Sequence, residues 1–312
     1  MRLTVVLPVY NEGEHIEQNV AVISETLKAA QIGASFLLVD DGSTDGTWEA
    51  LVRLSEASGD VGLIRLSRNF GKESAISAGL LAVRSPFCVV MDSDLQHPPE
   101  IIPKMLEKAR EGYSIVEGVK SSRGKESPFR GLAARVFYRI INRWSGFDMR
   151  NSSDFKLLDE KALAAFRQIS ESDIFFRGIT EWLGLKKAQI PFDVAERSGG
   201  KTKYSLFKLF KLAIRALTSF SAAPLFLTNI LAAVLFVFAV ILGVQTLVMY
   251  FTGSAETGFS TVILLILILG SAVLFCLGII GTYLSRIYDE VKRRPRFIID
   301  EEIHKNDKTG CE

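Results

Sequence analysis

The chain has 312 residues, 48% of them hydrophobic, a mean hydropathy of +0.23 and a formal net charge of +2. That length holds one sizeable globular domain and more, and the apolar fraction is high for a purely soluble protein. Cys88, Cys276 and Cys311 offer neither a disulfide framework nor a metal-ligand spacing, which suits a reducing compartment, and the near-neutral balance gives no reason to expect a nucleic-acid partner.

Residues 3–9 read as an apolar strand ending in Leu7-Pro8-Val9-Tyr10-Asn11-Glu12, followed by a helix over about 14–30. No basic leader or cleavage site precedes the strand, so no secretory signal is expected. Residues 35–39 repeat the theme and end in Asp40-Asp41-Gly42-Ser43-Thr44-Asp45-Gly46-Thr47, where Thr44 or Asp45 can cap a helix starting near Thr47. A third strand, 61–66, leads through Ser67-Arg68-Asn69-Phe70-Gly71-Lys72 to a helix near 73–83, and 87–91 is a fourth. Strands alternating with helices of this length predict βαβ units and a mainly parallel sheet.

The fourth strand runs into Met91-Asp92-Ser93-Asp94-Leu95-Gln96-His97-Pro98-Pro99-Glu100. Side chains at i and i+2 of an extended backbone share a direction, so Asp92 and Asp94, with the Gln96 amide, can converge on one hard cation. An Asp-rich turn capping a helix opened by Pro98 and Pro99 is the alternative. Ligands of an open α/β sheet lie outside the carboxyl ends of the strands. Four such ends supply Tyr10 with Glu12, Asp40 with Asp41, a Gly71-Lys72 helix start, and the Asp92/Asp94 pair. A ring to pack a base, carboxylates for base and ribose donors, and helix-start amides with a lysine for phosphate suit a nucleotide. Neither Gly-x-Gly-x-x-Gly after the first strand nor a Walker A sequence is present, which argues against a coenzyme dehydrogenase and against ordinary ATPase chemistry.

A helix over about 99–111 and a strand around 113–117 follow, then Lys120, Arg123 and Lys125. Residues 129–144 put Leu132, Val136, Phe137, Ile140, Ile141 and Trp144 at helical spacing, with Arg130, Arg135, Arg139 and Arg143 between them. This is either an amphipathic helix at a membrane surface or a core helix with a solvated basic face. Asn151-Ser152-Ser153-Asp154-Phe155-Lys156-Leu157-Leu158 is a polar turn entering a short strand, and Asp154 is either a third active-site carboxylate or a structural one. Helices near 160–168 and 175–183 and a strand near 188–194 complete a first domain over 1–204.

Arg197-Ser198-Gly199-Gly200-Lys201-Thr202-Lys203-Tyr204 is Gly-rich and basic, a flexible linker or a loop that closes on phosphates. A second interfacial-type helix, 205–222, carries Lys208, Lys211 and Arg215. Two charge-free stretches, 216–255 and 257–285, each exceed the about 20 residues of a bilayer span, and spans are expected at 225–250 and 259–284. Basic residues crowd both flanks, whereas the loop 251–258 has Glu256 and no Lys or Arg. The positive-inside rule therefore predicts a two-span protein of the inner or plasma membrane, with the first domain, both termini and a basic tail, 285–312, in the cytoplasm. Two spans are few for a channel, and neither has an Asp, Glu, Lys, Arg or His to mark a transport path.

Taken in order, these segments resemble polyprenyl-phosphate glycosyltransferases of the GT-A fold, the inverting family 2 group that includes dolichyl-phosphate mannose synthases and bacterial undecaprenyl-phosphate glucosyltransferases. LPVYNE at 7–12, VDDGSTDGT at 39–47, RNFGKE at 68–73, MDSDLQHPPE at 91–100, SDFKLL at 153–158, GGKTKY at 199–204, the two spans and IYDEVKRRP at 287–295 carry the resemblance over nearly the whole chain. It implies an α/β, Rossmann-like transferase domain with a two-helix transmembrane region. The implied reaction is metal-dependent, inverting transfer of a hexose from a UDP- or GDP-sugar to a polyprenyl phosphate, and a homo-oligomer is compatible with it.

By the resemblance, Pro8, Tyr10, Asn11, Glu12, Asp40, Asp41, Lys72 and Ser93 hold the nucleotide sugar. Asp92, Asp94 and Gln96 hold Mg2+ or Mn2+ on the diphosphate, and Asp154, with Asp94, serves catalysis at the reacting centre. Arg197, Lys201 and Lys203, with Arg123 and Arg130, belong to the phosphate and acceptor loop. Ser93 departs from the usual Ala, and Lys156 from the Arg of many bacterial glucosyl members. A processive polysaccharide synthase resembles enzymes with Gln-x-x-Arg-Trp, whereas Ile140 precedes Arg143-Trp144 here. A glycoside hydrolase would hold its carboxylates about 5 to 9 Å apart across a sugar, and a non-catalytic adaptor would need no metal site.

Overall fold

The structure is a computed structural model that describes residues 3–120, 153–171, 174–192, 223–252 and 259–303. Seven consecutive buried residues, Leu3–Val9, form β1, and a strand apolar on both faces must be covered on both. Leu3, Val5, Leu7 and Val9 share one core with α1 (Ile16–Ala29), α2 (Thr47–Ala57) and α4 (Ile102–Arg110). The other face carries α3 (Lys72–Ala82), which lies so close that a Cβ on Gly79 would meet Val6 Cγ1 at 2.4 Å.

β1 pairs in parallel with β2 (Ala34–Asp40) and β4 (Phe87–Val90), and β2 pairs in parallel with β3 (Val61–Leu66). Further strands are β5 (Ile115–Lys120), β6 (Lys156–Asp159), β7 (Lys187–Phe192) and β8 (Ile299–Ile303), in the order β7-β5-β6-β4-β1-β2-β3-β8. The sheet is mixed but, as expected, mainly parallel: four of its pairings are parallel and three antiparallel. β6 runs antiparallel to both neighbours, because it re-enters the sheet from the edge at which β5 leaves it, and β8 runs antiparallel to β3. A single 3-10 turn, Pro99–Ile101, precedes α4. Between β6 and β7 lie α5 (Glu160–Arg167), capped by Asp159 Oδ1 accepting from Ala162 N at 2.7 Å, and α6 (Phe176–Trp182).

The sheet and its helices form one unit, Met1–Lys203 with Arg294–Glu312, and Tyr204–Arg293 form another. β8 therefore belongs to the sheet unit although it follows the apolar helices in the chain. The tail read as basic contains an edge strand, which the acidic run Asp300-Glu301-Glu302 hides from a hydrophobic pattern. In the second unit, α7 (Ala223–Phe251) and α8 (Phe259–Val291) have 29 and 33 residues. At 1.5 Å per residue they reach about 43 and 50 Å, against the about 30 Å of a bilayer's hydrocarbon core. Large apolar side chains such as Phe226, Ile230, Phe236, Ile266 and Leu274 stand exposed along both. Both helices are long and apolar enough to cross a membrane. α8 continues past residue 284, where its charges begin, to Val291.

Candidate active site

Because β1 to β4 are parallel, their carboxyl ends and the polar clusters that follow share one edge of the sheet. After β1 the backbone turns at Asn11, with φ +53, a left-handed conformation asparagine tolerates. Asn11 N donates to Ser43 Oγ at 2.9 Å, and Asn11 Oδ1 accepts from Thr44 N at 2.9 Å, so the first two strand ends are stitched together. Glu12 N donates to Thr47 Oγ1 at 2.9 Å, and Asp45 Oδ1 accepts from Thr47 N at 3.0 Å, so Asp45 takes the amide of the first residue of α2 while Gly46 stands at the N-cap. Gly42, at φ +67, presses on the Arg68 backbone: a Cβ there would stand 2.4 Å from the Arg68 carbonyl carbon. The Tyr10 side chain is 44% exposed at this edge, available to pack a base.

The two carboxylates of β2 have different occupations. Asp41 accepts from Phe70 N at 2.8 Å and from Gly71 N at 2.9 Å, fixing the loop that opens α3. Asp40 is fully buried; its Oδ1 accepts from Ser43 N at 3.1 Å and Ser43 Oγ at 2.5 Å. Asp40 Oδ2 has no hydrogen bond among the described residues and lies 3.7 Å from Arg65 Nε. Burial raises the pKa of both carboxyls. Burial also raises that of Glu12, whose Oε2 accepts from Ser93 Oγ at 2.5 Å. The serine at 93 thus ties the first strand end to the Asp-x-Asp stretch, a bond an alanine cannot make.

The centre of the cluster is ionic. Lys72, in the first turn of α3, puts Nζ 2.5 Å from Asp92 Oδ1 and 2.8 Å from Asp154 Oδ2. Arg177 of α6 grips Asp154 in a fork, Nε to Oδ1 at 2.7 Å and Nη2 to Oδ2 at 2.9 Å. Burial alone would raise the Asp154 pKa, but Arg177 and Lys72 outweigh it and hold the carboxyl well below the usual range. For Lys72, burial works against the charge, yet Asp154 and Asp92 prevail and its pKa rises. Asp92 N donates to His97 Nδ1 at 3.0 Å. His97 stacks on Phe155 with ring centroids 4.9 Å apart and meets Phe192 edge-on, and burial lowers its pKa, so it is a neutral imidazole with its proton on Nε2.

Asp94 is exposed, and its Oδ1 accepts from Gln96 N at 3.0 Å across Leu95, at φ +57. Among the described residues no three His, Cys, Asp or Glu side chains gather into a ready-made metal cage. The fit to a divalent ion rests on Asp92 Oδ1, a buried carboxylate oxygen now facing the Lys72 ammonium at 2.5 Å, a position already occupied by positive charge on a long, rotatable side chain. Two carboxylates with water and phosphate oxygens completing the shell suit Mg2+ or Mn2+.

Glu73, next to Lys72, accepts from Phe176 N at 2.8 Å, and burial raises its pKa from 4.5 to about 7. Between those values the folded chain keeps a proton that the unfolded chain has released, so Glu73 makes stability fall as pH rises through the window, by up to about 3 kcal/mol, and level off above it. Glu73→Gln keeps an acceptor and loses the titration. Its melting temperature in detergent should gain on the parent's from pH 5 to about 7 and hold a constant lead beyond. A pH-independent difference would contradict this.

Lys156 is fully buried. It is the register partner of Glu117, Nζ to Oε1 at 3.0 Å, with both side chains 1% exposed. Ser153 N at 2.7 Å and Gln189 Nε2 at 3.3 Å complete the Glu117 carboxylate. Burial lowers the Lys156 pKa against the pull of Glu117. The Lys-for-Arg departure from the resembled pattern therefore lies in a buried pair with Glu117. Arg177, Glu73 and His97 had no assigned role in the sequence; the available signals were an arginine inside the apolar Phe175-Phe176-Arg177-Gly178-Ile179 and a histidine within the Asp-x-Asp stretch. Arg123, Arg130, Arg197, Lys201 and Lys203, and the two interfacial helices at 129–145 and 205–222, lie outside the described residues.

The family model described as Glycosyl transferase family 2 matches residues 4–166. An uncharacterized glycosyltransferase of Bacillus subtilis, YkcC, is 36% identical over 306 residues, 96% of this chain and 94% of the relative. A protein named bactoprenol glucosyl transferase from Shigella phage SfV is 31% identical over 310 residues, 98% of this chain and 100% of the relative. Among solved structures, glucosyl-3-phosphoglycerate synthase from Mycobacterium tuberculosis in complex with UDP matches at 19% identity and a TM-score of 0.48, over 70% of this chain and 78% of that one. The weight rests on the family model and the full-length relatives.

Proposed function

The chain belongs to glycosyl transferase family 2, and from that premise we propose that it moves a hexose from a nucleotide sugar onto the phosphate of a polyprenyl lipid at the cytoplasmic face of a membrane, with Mg2+ or Mn2+ on the donor diphosphate. The observation that carries this is the Lys72 ammonium between Asp92 and Asp154, which joins the Asp-x-Asp stretch and the third carboxylate in one site beside a helix start. The name of the full-length phage relative supports a polyprenyl phosphate acceptor. An isoprenoid of that kind stays in the bilayer, and two helices long and apolar enough to cross one support an enzyme that meets it there. The basic flanks of those helices support a cytoplasmic position for the sheet unit.

In this reaction an oxygen of the lipid phosphate attacks the anomeric carbon, the bond from that carbon to the diphosphate breaks, and the nucleoside diphosphate leaves with the electron pair. A phosphate monoester has its second pKa near about 6, so the attacking oxygen is already ionised near neutrality and no base is needed. A divalent ion held by Asp92, Asp94 and Gln96 would neutralise charge gathering on the leaving diphosphate. Asp154, gripped by Arg177 and Lys72, has too little proton affinity for a base and instead fixes two positive charges where two phosphorylated substrates meet. Tyr10 is suited to the base, and Asp40 and Glu12 to donors of the nucleoside.

The test is incubation of the purified full chain with undecaprenyl phosphate and a panel of radiolabelled UDP- and GDP-hexoses, with Mg2+ or Mn2+. Label from one donor should enter the organic phase and stop doing so when a chelator is added. No transfer from any donor would sink the proposal.

A further inference from the structure

Arg296 lies between the end of α8 at Val291 and the start of β8 at Ile299, in a stretch the reaction does not use. Its guanidinium bonds to two separate elements of the sheet unit. Nε donates to Glu171 O at 2.5 Å and Nη2 donates to Ile169 O; both carbonyls belong to the segment that leaves the C-terminus of α5. Nη1 donates to Ser77 Oγ of α3 at 3.3 Å. Carbonyls past a helix end carry partial negative charge and lack intrahelical partners, so a cation with a planar fork of donors fits them.

The same two elements meet a second time at the active edge. One turn before Ser77 on α3 are Lys72, bonded to Asp154, and Glu73, bonded to Phe176 N. A few residues beyond Glu171 is Arg177, which grips Asp154. Elements joined at one place can pivot about it, whereas elements joined at two cannot. The strand after Arg296 anchors this second joint: Ile298 O accepts from Ser67 N at 2.9 Å, and β8 pairs with β3 from Leu63↔Ile303 to Leu66↔Ile299.

We infer that Arg296 is a positioning residue for glycosyl transfer, its bonds to Ile169 O, Glu171 O and Ser77 Oγ fixing α3 against the segment leading to α6 so that Lys72 and Arg177 hold Asp154 in register. The inference rests on the proposed reaction for its kinetic consequence and on the geometry alone for its structural one. These bonds hold α3 and the segment leading to α6 rather than the strand ends around Tyr10 and Asp40 proposed to take the nucleotide, so turnover and donor affinity should separate.

The experiment uses the full chain in detergent with Arg296→Ala, Arg296→Gly and Arg296→Lys. In Arg296→Ala, kcat should fall about 10- to 100-fold, the loss typical of sub-ångström to ångström misplacement of reacting groups, with the donor KM within about twofold. Arg296→Lys keeps the charge without the fork and should be intermediate. Guanidinium ion at low millimolar concentration should restore part of the Arg296→Gly turnover and none of the Arg296→Lys deficit. Hydrogen exchange of Arg296→Ala should speed up at residues 169–179 and stay unchanged at 3–9 and 34–40. Full kcat in Arg296→Ala would overturn the inference, as would kcat and KM worsening together without guanidinium rescue. If the parent chain transfers no sugar, the proposed function fails, and the exchange pattern still decides whether Arg296 couples the two elements.

Discussion

Asp154→Asn should lower turnover by about a hundred- to ten-thousandfold while donor binding stays within a few-fold. The carboxylate is 5% exposed and balances two cations at once, through a two-bond fork from Arg177 and a third bond from Lys72. An amide offers one acceptor oxygen and no charge, so the half-exposed guanidinium loses its counterion and Lys72 is left to Asp92 alone. The pH dependence separates this role from that of a base. Arg177 and Lys72 overcome the effect of burial and keep Asp154 ionised across the pH range of an assay. The acidic limb of the parent profile should therefore follow the lipid phosphate, near about pH 6, and Asp154→Asn should keep that limb at a lower plateau. Recovery of Asp154→Asn activity with rising pH, beyond that limb, would make Asp154 a base after all. The measurement is kcat against pH from 5 to 9 for both proteins, with donor affinity from nucleotide titration.

Asp92→Asn and Asp94→Asn should each lower metal-dependent turnover by about a thousandfold, the several kcal/mol that a bound ion supplies to a charged leaving group. Titration of Mn2+ by electron paramagnetic resonance, with nucleoside diphosphate present, should show weaker binding in both. Asp92 is the more heavily committed of the two: its backbone amide is fixed by His97 Nδ1, and its Oδ1 faces the Lys72 ammonium at 2.5 Å. A cation bound there would replace an existing positive charge and leave Lys72 to Asp154. An Asp94→Asn enzyme with full metal-dependent activity would undo the metal assignment.

The sequence made the first four strands readable because each apolar run stops at a polar cluster, and in parallel strands those stops fall on one edge. Asp154 was readable as a carboxylate beside a short strand, but not its partners, since Arg177 reaches it from a helix 23 residues further on. The Glu117–Lys156 pair depends on strand register: nothing local says that these two residues face each other across β5 and β6. The reversed directions of β6 and β8 escaped for a related reason, because a hydrophobic pattern gives the period of a strand but not its direction. β8 escaped because an edge strand with Asp300, Glu301 and Glu302 in its middle reads as a charged tail, although charge on an edge is how a sheet keeps other chains from pairing with it.

The position of β8 has a consequence for synthesis. A ribosome delivers β1 to β7 first, then α7 and α8, and only afterwards Arg296 and the strand that covers β3. Until then the outer edge of β3 is bare and the rear joint between α3 and the α5–α6 segment is open. A nascent chain stalled before or within the apolar helices therefore carries a catalytic unit that is incomplete and prone to pair with a neighbour's edge. The strand that completes the sheet unit is thus made only after both long apolar helices.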